Sequence, residues 1–402
     1  MDSAYFLYIP NVPLESKFKP VRQFINQLCI NLFHDGRHRS STIGNWITVI
    51  PLILNPYRHL FTRLSTLSLI GLWYEGEKST MNRIDTVFVN DLSSTFSTIR
   101  VFELEKCMVT LSTLFLLVST FTNIESLHII EPKRTRNINH LVSPILPSMR
   151  NLKHFTLHMD DIPPRSLESN KLLDWLGSTL KASTPLDNVS TGGTTLESID
   201  LVVRTFDVRG VVKFMSVVGP TLTVLKLHLT NPDFKNLPLL TACNSLESLT
   251  LRVKPIKKDL LTSTRSIGLL LSQLPLFDPS FPLSPERPSR PSRLHSLTLY
   301  IPYTSHPNSS SIPLLVDSIV DENKQDPRRI CAPVIEQLGR LRSSLKKLWL
   351  LIIYDRWLHE NNEGLVRFRV GVEAIFREVL HPSVGGRNDD QVVDVITTVV
   401  HA

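Results

Sequence analysis

The chain has 402 residues, 42% of them hydrophobic and 20% charged, enough apolar material for a large core and, by length alone, for two or three domains. Its formal net charge of +7 favours acidic partners, yet the cations are spread along the chain and lack the clustering of a nucleic-acid-binding domain. The four cysteines, Cys29, Cys107, Cys243 and Cys331, lie far apart without a C-x-x-C pair, which argues against a disulfide framework and for a reducing cytoplasmic or nuclear setting.

Residues 1–17 lack a basic stretch followed by an apolar one, so no secretory leader is expected, and the sequons at Asn188 and Asn308 carry no weight. A first strand is expected around Ile25–Leu28–Ile30 and a second around Leu64–Leu67–Leu69. Residues 99–107, IRVFELEKC, fit the template L-x-x-L-x-L-x-x-C through Ile99, Phe102, Leu104 and Cys107. Further copies follow at Ile124–Leu127–Ile129, Leu152–Phe155–Leu157, Leu196–Ile199–Leu201 and Leu222–Leu225–Leu227. The last three are Leu246–Leu249–Leu251, Leu294–Leu297–Leu299 and Leu345–Leu348–Leu350.

Four of the intervals between first anchors fall within the ~20–29 residues of a leucine-rich repeat, and the longer ones read as a repeat plus an insertion. In a strand the side chains alternate, so the second and third anchors of each copy share one face. The segments between strands show helical spacing at 109–121, 166–181, 208–218, 259–274 and 333–345. In 166–181 the apolar positions are Leu172, Leu173, Trp175, Leu176 and Leu180. The apolar run 107–121 is too short for a bilayer of roughly 30 Å and reads as a buried helix, so no membrane span is expected.

The expected fold is therefore α/β: an irregular leucine-rich-repeat solenoid over 1–354, with parallel strands on a concave face and helices on a convex one. Turn-rich insertions interrupt it at 182–195 and 275–293; the second carries Pro about every third residue, a polyproline II pattern. Residues 355–402, with a helix over 364–380, are expected to cap the open end. The repeat consensus wants Asn or Cys eight residues after the first anchor, where its side chain bonds the turn leaving the strand. Cys107 alone satisfies it, with Thr230 a polar substitute, so the other turns must close differently.

No phosphate-binding glycine loop, H-E-x-x-H or G-x-S-x-G motif is present, so no catalytic residue and no cofactor is expected. Function should reside instead in the side chains between and after the anchors. Reading these columns across the strands gives Glu103, Glu105, His128, His158, Asp200, Lys226, His228, Arg252, Tyr300 and Trp349 as candidate partner-binding residues. The three histidines are too widely spaced for a metal, since strands lie about 4.8 Å apart and zinc ligands converge at about 2.0–2.3 Å. The surface is acidic near Glu103 and Glu105 and basic near Lys226 and Arg252, with Tyr300 and Trp349 as aromatic anchors.

The stretches FLYIPNV (6–12), VRQFINQLCINLF (21–33), LFTRLSTLSLIGLW (60–73), 96–129 and MRNLKHFTLHMD (149–160) give the chain a further likeness. It resembles the leucine-rich-repeat region of fungal F-box proteins of the mushroom type. That resemblance implies a non-catalytic protein that holds a protein substrate on the concave face. The family's N-terminal F-box, with its L-P-x-E start and later V-C-x-x-W, is missing, and a cullin-ligase adaptor is an expected partner only if an F-box lies upstream. The competing expectations are a basic nucleic-acid-associated protein, recognisable by steep salt dependence, and a stand-alone repeat protein with no ligase link.

Overall fold

The protein is represented by a computed structural model that describes residues 4–5, 26–31, 63–71, 97–107, 111–130, 149, 151–159, 168–182, 196–203, 208–230, 237–254, 260–275, 293–303, 326–354, 363–381 and 393–401. The sequons and nearly all of the two insertions lie outside these residues. The chain divides into two units, Met1–Val202 and Val203–Ala402.

In the N-terminal unit the strands are β1 (Ala4–Tyr5), β2 (Gln27–Asn31), β3 (Thr66–Ile70), β4 (Val101–Glu105), β5 (Ser126–Ile130), β6 (His154–Met159) and β7 (Ser198–Val203). Neighbours in sequence are neighbours in the sheet, and the pairs from β1 to β6 are parallel. The helices are α1 (Leu111–Thr120), between β4 and β5, and α2 (Glu168–Ala182), between β6 and β7. The C-terminal unit contains β8 (Val224–Leu229), β9 (Ser248–Val253), β10 (Ser296–Tyr303), β11 (Lys347–Tyr354) and β12 (Asp394–His401), again parallel and in sequence order. Its helices are α3 (Val208–Val218), α4 (Leu260–Ser272), α5 (Pro327–Leu341) and α6 (Glu363–Leu380). Among the described residues no helix is long and apolar enough to cross a membrane.

Every strand from β2 to β11 carries the second and third anchors of one copy. The anchors are what the strands bury: Leu67, Phe102, Leu127, Leu157, Leu201, Leu227, Leu251, Leu299 and Leu350 are at most 1% exposed. Burying one such side chain is worth about 1.5–3 kcal/mol, so each strand is held to the core chiefly by this pair. The first anchors Leu64, Ile99, Ile124, Leu152, Leu196, Leu222, Leu246, Leu294 and Leu345 are buried as well.

The residue after the first anchor explains why the template keeps its spacing while the connections vary. Its carbonyl accepts two successive N–H groups from the entrance of the next strand. Asn26 accepts from Ser65 and Thr66, Ser65 from Arg100 and Val101, Arg100 from Glu125 and Ser126, and Glu125 from Lys153 and His154. Lys153 accepts from Glu197 and Ser198, Thr223 from Glu247 and Ser248, Glu247 from His295 and Ser296, and His295 from Lys346 and Lys347. Bending at this forked bond brings the first anchor into the core and starts the ladder one residue later. Asp394 donates to Lys346 in the same place, so β12 is a further copy inside the segment expected to cap, with Val395 and Thr397 at the strand anchors.

The strand exits follow two solutions. Cys107 lies buried, its thiol donating to the Leu69 carbonyl at 3.2 Å and approaching that of Glu105 at 3.4 Å, which is the turn-closing role its consensus position implies. The backbone just past β3 and β4 turns left-handed, at Gly71 (φ 70°) and Lys106 (φ 52°). These two residues are equivalent, each donating its N–H to the carbonyl ending the next strand, Glu105 or Ile130. A left-handed backbone costs a side chain of L chirality about 1–2 kcal/mol, and the exposed Lys106–Glu105 ion pair recovers little of it. Lys106→Gly is therefore expected to stabilise the protein by up to about 1 kcal/mol, read as an increase in the urea midpoint. A lowered midpoint would contradict the strain argument.

Helix α5 begins six residues earlier than the 333–345 segment expected from the sequence. Asp326 caps it, its carboxylate accepting from the Arg328 N–H at 2.9 Å, and Pro327 takes the first helical position, where no N–H is needed. Pro333 thus lies inside the helix. Its carbonyl faces α4 so closely that a Cβ on Gly268 would sit 2.5 Å from that oxygen, whereas a Cβ on Gly339 of α5 would meet nothing within 4 Å. Gly268→Ala should cost about 1–3 kcal/mol by forcing α4 from α5, and Gly339→Ala should stabilise by about 0.5–1 kcal/mol. Paired urea titrations that moved both midpoints in the same direction would refute this.

Candidate partner-binding faces

With the anchors turned inward, the residues between them occupy the opposite side of each strand. In the N-terminal unit the register aligns Cys29, Ser68, Glu103, His128 and Thr156 in one row and Asn31, Ile70, Glu105, Ile130 and His158 in the next. In the C-terminal unit it aligns Lys226, Thr250, Thr298 and Trp349, and beside them His228, Arg252, Tyr300 and Leu351. The ten candidate residues therefore fall five in each unit, and each set lies on the outward side of its own strands.

In the N-terminal unit, His128 lies between Glu103 and Thr156 and shares a hydrogen bond of 2.9 Å between its Nδ1 and the Thr156 Oγ1. Burial pushes its pKa below the ordinary 6.5; the Glu103 carboxylate opposes this, while His154 and His158 add to the lowering. His128 is thus neutral at pH 7 and can serve as donor or acceptor. His158 Nε2 meets Asp200 Oδ1 at 3.2 Å, a diagonal contact from β6 to β7. Among the described residues no group of three or more His, Cys, Asp or Glu is arranged to hold a metal. Glu105 pairs with Lys106 at 2.9 Å, so its charge is partly answered within the turn.

In the C-terminal unit, the Arg252 guanidinium carbon lies 5.4 Å from the Tyr300 ring centroid. The His228 ring meets the same ring edge-on at 5.7 Å. This meshing fixes Tyr300, which is half-buried, and spreads positive charge over its face. Trp349 stands in the neighbouring row and is 36% exposed, among the most exposed large apolar side chains described. Lys226 is exposed.

No protein-family model matches the chain, and no curated protein matches it.

Other residues share these faces although the repeat template did not point to them. Strands β10, β11 and β12 run on past the third anchor, so Ile353 on β11 and Ile396 and Val400 on β12 join the outward side beside Leu351. The signal was the continued alternation in LWLLIIY and DVITTVVH. Lys254, exposed just after β9, extends the cationic end. Burial pushes the thiols of Cys243 and Cys331 up to about 12, which keeps these two protonated at pH 7.

Proposed function

We propose that the chain is a non-catalytic protein-interaction scaffold of the leucine-rich-repeat type, whose outward strand faces hold a protein partner. The observation that carries this reading is the constant register: within each unit successive strands deliver two side chains to the same two outward rows, while the anchors are spent on the core. Such a surface has mixed charge and aromatic side chains, which suits recognition of a protein partner. On this reading the chain is the substrate-holding part of an F-box-type ubiquitin ligase subunit if an F-box lies upstream, and only then is the ligase adaptor a partner.

A photo-crosslinking amino acid placed at Thr250, outward on β9, should trap a discrete partner in cells, and the same group at Arg265, exposed on α4, should not. Equal crosslinking from both positions, or from neither, would remove the strand face as the recognition surface. Cullin-complex subunits absent from the affinity-purified protein, with and without any upstream exon, would sink the ligase assignment alone.

A further inference from the structure

The outward side of the C-terminal unit is divided by charge and polarity along the sheet. At one end are Lys226 and Arg252, with Lys254 following β9; the ion pairs among the described residues include neither Arg252 nor Lys254. The outward positions of β8–β11 carry no Asp or Glu. Glu247 and Asp394 lie at the strand entrances, the opposite end from Arg252 and Lys254. Further along, Trp349, Leu351, Ile353, Ile396 and Val400, each half-buried or exposed, make a mainly apolar area on β11 and β12, interrupted by exposed Thr398 and bordered at the strand entrance by exposed Lys347. Tyr300 lies between the two, its ring already against a guanidinium.

We propose that this face binds an extended acidic peptide segment ending in an apolar residue, lying across the strands. The proposal rests on the scaffold reading and names its partner class. Four strand intervals of about 4.8 Å separate β8 from β12, roughly 19 Å, which an extended chain covers in about six residues. Carboxylates of the segment meet Lys226, Arg252 and Lys254, and its apolar side chain settles against Trp349 and Leu351. Charge complementarity sets the direction of the peptide and its rate of capture, and the apolar end holds it. A single-stranded nucleic acid would also seek cations and aromatic rings, but the far end here is built mainly from aliphatic side chains, which offer no stacking platform.

The test uses the full chain and fluorescence anisotropy with a labelled peptide of about six residues, acidic at one end and ending in leucine. Its comparators are the Asn/Gln counterpart and oligothymidylate of similar length. The acidic peptide should bind at least about tenfold more tightly than the amide version and should weaken as salt rises. Lys254→Glu, at an exposed position whose N–H keeps its bond to the Leu229 carbonyl whatever the side chain, should weaken it further, as should Arg252→Ala. Equal binding of the acidic and amide peptides overturns the proposal, and so does tighter binding of oligothymidylate. If the acidic peptide fails while the Thr250 crosslink persists, the peptide class is wrong and the scaffold reading stands; loss of both removes both.

Discussion

Gln273→Ala is expected to lower the unfolding free energy by about 2 kcal/mol. The reason lies in the shortest repeat. Between β8 and β9 the described chain at 237–247 is a series of turns, where the other repeats of the C-terminal unit place a helix. Turns leave backbone groups without partners, and Leu239 and Leu240 are buried. Gln273, just past the end of α4, supplies what the missing helix would. Its Oε1 accepts from the N–H groups of Leu239 at 2.9 Å and Leu240 at 3.2 Å, and its Nε2 donates to the Leu237 carbonyl at 2.9 Å. One amide thus bonds three backbone groups; the Leu239 N–H also donates to the Leu237 carbonyl at 2.9 Å, so the Leu240 N–H depends on Gln273 most, and a buried group left unsatisfied costs about 1–3 kcal/mol. Alanine removes all three bonds at once. Gln273→Glu is the informative companion, because it retains the acceptor for both N–H groups but replaces the donor facing Leu237. Chemical denaturation of the three proteins should rank wild type above Glu and Glu above Ala. An alanine variant within about 0.5 kcal/mol of wild type would show that water replaces the amide and that the clamp contributes nothing.

What could be read from the sequence was whatever depends on a fixed offset. The anchor spacing placed all the strands from β2 to β11, because the forked hydrogen bond one residue after the first anchor ties the start of each strand to its predecessor. The same offset put Lys226 opposite Thr250 and His228 opposite Arg252 without any coordinates. Strand β12 escaped notice because Val395 and Thr397 stand where the template expects leucine, and Thr397 leaves its buried hydroxyl without a described partner. The start of α5 escaped because Pro333 looked like a first helical position, although Asp326 and Pro327 made the stronger signal. The contacts that give the faces their character were not legible at all. The diagonal His158–Asp200 pair and the placing of His228 and Arg252 against Tyr300 depend on side-chain rotamers, which spacing does not specify. Nor does spacing show that burial holds His128 neutral.

Replacing both Tyr300 and Trp349 by alanine should weaken the partner trapped from Thr250 by more than about 2 kcal/mol, roughly thirtyfold in Kd. The two residues contribute differently. Trp349 offers exposed apolar area that a partner can cover, and its loss should be felt almost entirely in the complex. Tyr300 is held in place before binding by His228 on its edge and Arg252 on its face, so little ordering cost remains when a partner arrives. Its removal also frees Arg252 to adopt other rotamers, which weakens a second contact. Tyr300→Ala and Arg252→Ala should therefore be non-additive. Neither tyrosine nor tryptophan contributes an inward anchor, so the double variant should unfold close to the wild-type midpoint. Loss of affinity together with a large loss of stability would point to damage to the sheet. Unchanged affinity in a folded double variant would place the partner elsewhere on the molecule. A normal midpoint with a thirtyfold weaker complex, and coupling of Tyr300 to Arg252, would identify Tyr300 and its two neighbours as one preorganised contact.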